Sequence, residues 1–147
     1  IILLSIHVFM METQRSWSDS YAKIHGGAVS DGVMARTAFN RIVRKSSQSN
    51  HQLAASDDLR VYYYADWQTS TGLDRMARFY RSETDPSEMY VEHATVDDNQ
   101  IFSTVLLATS VTDLEFLPID DGYTMKLCLD DGREHLSVVS TAIFNNP

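Results

Sequence analysis

A single cysteine, Cys128, stands in 147 residues, so no internal disulfide can form and no disulfide framework can hold the fold. Its thiol falls in the strand-like run Tyr123–Leu129, where a buried, inert side chain is the expected reading. Long apolar runs are also missing. The greasiest stretch, Ile1 to Met11, is eleven residues, whereas a bilayer-spanning helix needs about 20. No basic stretch precedes it and no small-residue cleavage site follows, which argues against a signal peptide. The net charge is −8, and the acidity of residues 51–147 speaks against nucleic acid as a partner, which needs Lys/Arg clustered on a face. There is no Gly-rich phosphate loop, no Gly-x-Ser-x-Gly elbow, no Cys-x-x-Cys and no His-Glu-x-x-His. Nothing in the chain looks built for catalysis.

What the chain does have is unevenly placed. Residues 1–50 carry six Lys/Arg against three Asp/Glu; residues 51–147 carry six against seventeen. A mildly basic N-terminal part followed by a strongly acidic remainder can pack on copies of itself with complementary potentials. After the apolar run and Glu12, the residues Trp17, Tyr21, Ile24, Ala28, Ala35, Ala38 and Ile42 step by three, four or seven, as one face of a helix does. Arg44 and Lys45 then suit the negative end of a helix dipole, and Ser46–Asn50 reads as a loop. The expectation is one long helix from Ile1 to Lys45, roughly 65–70 Å at about 1.5 Å per residue. It is continuous or interrupted at Gly26-Gly27, where glycines cost up to about 1 kcal/mol each. Such a rod outgrows its own domain and needs lipid or sister helices to cover its end.

Beyond residue 50 the period changes to two. Leu59–Tyr64, Met76–Arg81 and Met89–His93 read as strands, and Ile101–Ala108 is ambiguous between strand and helical turn. Val111–Ile119, Tyr123–Leu129 and Leu136–Phe144 form a three-strand meander, turned at Asp120-Asp121-Gly122 and Asp130-Asp131-Gly132. Tyr123, Met125, Leu127 and Leu129 point to one face of it, which the amphipathic half of the helix is expected to cover. The expected fold is therefore α+β: a long N-terminal helix packed on an antiparallel sheet, with an N-terminal helical part over residues 1–50 and a β-rich head over residues 51–147.

The acidic pairs Asp57-Asp58, Asp97-Asp98, Asp120-Asp121 and Asp130-Asp131 sit in turns, where Asp commonly serves local backbone hydrogen bonds. No metal or cofactor is expected from them; calcium is the alternative. The aromatic run Tyr62-Tyr63-Tyr64 with Trp67 could stack on a ligand, and its alternation puts part of it in the core. His93 and His135 are the histidines an enzymatic reading would use with nearby carboxylates.

The order of these features resembles the type IV pilin-like family. The residues that carry the likeness are the apolar run into Gln14-Arg15-Ser16-Trp17 and the helical stretch Ala35-Arg36-Thr37-Ala38-Phe39-Asn40-Arg41-Ile42-Val43-Arg44. Leu107–Phe116 and the close at Phe144-Asn145-Asn146 extend it. The closest likeness is to minor pilins and the J-type minor pseudopilins of type II secretion. The family's mature start, an N-methylated Phe with a Glu four residues on, is absent, as though the chain began partway along the apolar half. A C-terminal disulfide loop is excluded by the lone Cys128. The resemblance implies a non-enzymatic filament subunit, held in the inner membrane before assembly and in a periplasmic or extracellular filament afterwards. Its partners would be other copies or other pilin-like subunits. The residues implied in filament or membrane packing are Ile1, Ile2, Leu3, Leu4, Ile6, Val8, Phe9, Met10, Met11, Trp17, Tyr21 and Ile24, with Ala28 following them. The competing function is a ligand- or calcium-binding adhesive tip module.

Overall fold

The computed structural model describes residues 27–66 and 68–147. Within them the chain runs as one helix, α1 (Ala28–Lys45), followed by eight strands. These are β1 (Ser46–Ala55), β2 (Asp58–Tyr63), β3 (Arg75–Arg81), β4 (Met89–Thr95), β5 (Ile101–Ala108), β6 (Val111–Ile119), β7 (Gly122–Asp130) and β8 (His135–Ile143). Strands β1 to β5 form a large sheet in sequence order, and β6 to β8 a small one. Adjacent strands within each sheet pair antiparallel, and one isolated parallel bridge joins Ser47 to Asn146.

This overturns the expected fold class. The described part is dominated by two antiparallel sheets, and its one helix has 18 residues rather than forming a long rod laid on a sheet. Two local causes are visible. Gly27 has φ 93° and ψ −165°, outside the helical region, so α1 starts after it. Its place is also sterically restricted: a Cβ there would lie 2.7 Å from Asp131 Oδ2. At the other end Ser46–Asn50, read as a loop from its polarity, is the start of a ten-residue strand. Ser46 and Ser47 are buried there with their hydroxyls bonded to the Ile42 and Pro147 carbonyls. From Gln48 onward the strand is an exposed edge of the large sheet, where polar side chains cost little.

α1 packs against β7 and β8 of the small sheet and against β5 and β2 of the large one. Its buried residues Ala28, Gly32, Ala35, Phe39, Ile42 and Val43 recur at helical spacing. Phe39 is the hinge of the core, with ring centroids 5.9 Å from Phe79 on β3 and 6.0 Å from Phe116 on β6. Gly32 gives α1 its close approach to β8, since a Cβ there would sit 2.7 Å from Leu136 Cδ2. From the small sheet, Tyr123, Met125, Leu127 and Leu129 all point into this core. Cys128 therefore faces outward and is only half-buried, 3.6 Å from Ser137 Oγ, rather than fully enclosed as expected.

The ends of α1 are closed by distant chain. Asp131, in the β7–β8 turn, accepts the Ala28 N–H at 3.3 Å, a cap supplied from 103 residues away. Asp31 accepts the Thr109 N–H and hydroxyl at 2.7 and 2.9 Å, tying the first turn to the β5–β6 connection. At the C-terminal end, Ser46 Oγ donates to the Ile42 carbonyl at 2.7 Å. The Asn145 N–H and the Asn146 side-chain amide reach the Arg44 and Lys45 carbonyls at 3.0 and 2.6 Å.

Candidate functional site

The residues nominated for filament or membrane packing, Ile1 to Ile24, and Trp67 lie outside the described residues. Ala28, the next in that series, is buried under the Asp131 cap. No described helix is long and apolar enough to cross a membrane.

The histidines an enzyme would use are not brought together. His51 on β1 shares a 2.7 Å hydrogen bond with Tyr123 Oη and stacks on Phe144. His93 on β4 shares a 2.8 Å hydrogen bond with Tyr63 Oη, and burial and the nearby Lys45 hold its pKa below the usual histidine range. His135 lies exposed, 3.9 Å from Asp130. The acidic turns are equally dispersed. Asp58 is clamped by Arg78, Asp98 accepts from Thr95 and Gln100, and Asp130 and Asp131 accept N–H groups of their own turn. Among the described residues no group of three His, Cys, Asp or Glu could hold a metal ion. Of the tyrosine run, Tyr63 is core, and Tyr62 and Tyr64 are half-buried.

The feature that stands out is apolar surface along α1. Val29, Val33 and Met34 are 52, 60 and 48% exposed, all within the first two turns. To one side of this ridge lies a groove of about 290 Å3 against β8, with Leu136, Val138 and Val139 in its wall. To the other lies a larger groove of about 620 Å3 against β4 and β5. Val33, Met34, Ala38, Val91, Val105 and Leu107 line its apolar length. Beside this groove runs β5, an edge strand of the large sheet among the described residues. It has no charged residue and exposes Ile101, Phe102 and Val105, with Leu106, opposite Tyr90, exposed on the other face. Natural edge strands are commonly blunted by charge or proline, and this one is not.

The larger groove has Ser30 and Thr37 along its α1 wall but is cationic at one end only. The Asp31–Thr109 bonds place Leu107 beside the first turns of α1, so β5 runs back along the helix towards its C-terminus. There Lys45 Nζ lies 3.9 Å from the Tyr63 ring centroid, and Arg41 stands one turn before it. Burial, and then Arg41, lowers the Lys45 pKa. Tyr63, His93 and Phe102 follow in a row, and Arg75 covers the Phe102 ring at 5.2 Å. Neither Arg41 nor Lys45 forms an ion pair among the described residues. Asp74, next to Arg75, is engaged by the Ala65 N–H and the Ser70 hydroxyl, which lower its pKa.

Sequence reasoning traced the buried stripe of α1 but missed this surface. The available signal was Val29, Val33 and Met34, apolar residues off the stripe on a helix that was read as polar elsewhere. The pairing of Arg41 and Lys45 with β5 depends on a tertiary register that no local pattern carries. Comparison with protein-family models, curated proteins and solved structures returned no match.

Proposed function

We propose that the chain is a non-catalytic structural subunit of a filament of the type IV pilus or pseudopilus kind. It assembles with copies of itself or with similar subunits through its apolar N-terminal residues and the surface they lead into. The observation that supports this reading is where the exposed apolar ridge lies. Val29, Val33 and Met34 occupy the first turns of α1, the end of the helix that follows the apolar run in sequence. Contiguous exposed apolar surface of this kind is a mark of an interaction site. Covering it with neighbouring subunits removes it from water, which is the dominant favourable term in association. Before assembly the apolar segment Ile1–Met11 associates with the inner membrane. Afterwards it is shielded by its counterparts in a periplasmic or extracellular filament.

The test is sedimentation and negative-stain microscopy of the full chain after detergent removal, beside the variants Phe9→Glu and Val33→Glu. The unaltered chain is expected to form sedimenting filaments. Both variants are expected to remain small and to keep the wild-type circular dichroism spectrum. A full chain that stays monomeric without detergent contradicts the proposal, as do variants that assemble as well as the parent.

A further inference from the structure

The α1–β5 groove combines three properties. It is long: its wall on α1 runs from Ser30 to Lys45, about 22 Å at 1.5 Å per residue. It is apolar for most of that length and cationic at one end. Its volume of about 620 Å3 lies within the roughly 300–1,000 Å3 of small-molecule sites, which pair an apolar lining with a few convergent polar groups.

The cationic end is the informative part. The chain has 20 acidic side chains against 12 basic ones, so counter-charges are plentiful. Only some are used: Asp58 takes Arg78 and Glu115 takes Lys126, while Arg36, Arg44, Arg75, Arg81 and Arg133 form no ion pair among the described residues. Arg41 and Lys45 lie one turn apart on α1, raising each other's electrostatic cost, with no carboxylate in ion-pairing reach among the described residues. A guanidinium and an ammonium beside an apolar trough match a negative head joined to an alkyl chain. Arg41 suits a carboxylate in particular, because its planar fork can donate two parallel hydrogen bonds.

We infer that the α1–β5 groove binds a single-chain anionic amphiphile, a long-chain carboxylate. Its alkyl chain lies over Met34, Val105 and Leu107, and its carboxylate meets Arg41 and Lys45. The alkyl chain gains burial without displacing any side chain of the Phe39–Phe79–Phe116 core, none of which lines the groove. This site does not depend on the filament reading.

Photolabelling of the full chain with a diazirine-bearing dodecanoate, mapped by peptide mass spectrometry, tests it. Adducts are expected on the peptides carrying Met34 and Val105–Leu107. Excess dodecanoate should compete them away, and dodecyltrimethylammonium should not. The double variant Arg41→Met with Lys45→Met should lose labelling at these peptides about tenfold, the scale of one charge-assisted interaction. Lys45→Arg alone should retain it, and matching melting temperatures would show that the fold is intact. Labelling confined to Ile1–Met11 overturns the inference. So does equal competition by the cationic amphiphile, or groove labelling that the double methionine variant leaves unchanged.

Discussion

The two faces of the large sheet are made by the same strands and could hardly differ more. On the outer face, polar groups from neighbouring strands answer one another. Asp58 on β2 takes both Nε and Nη2 of Arg78 on β3, at 3.0 and 2.6 Å. The Arg78 guanidinium lies 4.4 Å from the Tyr80 ring centroid, and Tyr80 donates to Glu92 on β4 at 2.6 Å. Tyr80 stacks on Tyr90, which donates to Glu88. Arg60 Nε, 3.9 Å from Asp58, is the one buried side-chain nitrogen or oxygen without a hydrogen bond among the described residues. On the inner face, beside α1, Arg41 and Lys45 have no carboxylate partner among the described residues, Lys45 resting on the Tyr63 ring, and apolar residues meet solvent. The contrast teaches that this protein can neutralise its surface where it needs to. In the filament we propose, the side it leaves incomplete is the one turned towards partners.

The largest expected effect tests the core beneath both faces. Phe39→Ala should cost about 3–5 kcal/mol, read as a shift in the urea midpoint. A loss within 1 kcal/mol would mean that α1 does not bind the two sheets together.

Next comes the contrast itself. Arg78→Met strands the largely buried Asp58 carboxylate and should cost about 1–3 kcal/mol. Arg41→Met, on the inner face, should change stability by no more than about 0.5 kcal/mol. Equal costs would erase the distinction between a self-satisfied face and an open one.

Titration sharpens it further. Burial, and then the bond to Glu92, pushes the Tyr80 pKa up to about 12. The unfolded chain then gives up that proton first, near pH 10. Stability from this group is full below that pH and declines as pH rises from 10 towards 12. Tyr80→Phe should flatten that decline in alkaline urea melts, and an unchanged slope would contradict the assignment.

The smallest effect lies at the groove. The depressed His93 pKa means that the unfolded chain binds its proton first. Stability should therefore fall as pH drops below about 6.5, the unperturbed value. Lys45→Met should raise the His93 pKa in an NMR titration, because it removes a neighbouring cation. A downward shift would place Lys45 elsewhere.

Much of the β structure was legible because turn chemistry and alternation agree there. Both Asp-Gly turns of the small sheet, and the inward set Tyr123, Met125, Leu127 and Leu129, are local signals. The fold class was not legible, for two reasons of different kind. Polar Ser46–Asn50 is held as strand by distant chain rather than by its own propensity, Ser46 pairing with Tyr63 of β2 and Ser47 and Gln48 meeting Asn146 near the C-terminus. At the other end, the Gly26-Gly27 pair was read as a weakness within a helix, whereas Gly27 sets its start and Asp131 caps it from the far end of the chain. The candidate surface was half visible. Val29 and Val33 could be read from their spacing, but the cation pair belongs to the groove only once β5 lies alongside α1.

The claim that one side of the molecule faces partners and the other does not is tested most directly by hydroxyl-radical footprinting. The full chain would be labelled in its assembled state and again as the dispersed Phe9→Glu variant. The expected result is that Val29, Val33 and Met34 lose labelling on assembly while Tyr80 and Tyr90 keep theirs. Protection of the tyrosines with α1 left fully labelled would contradict it.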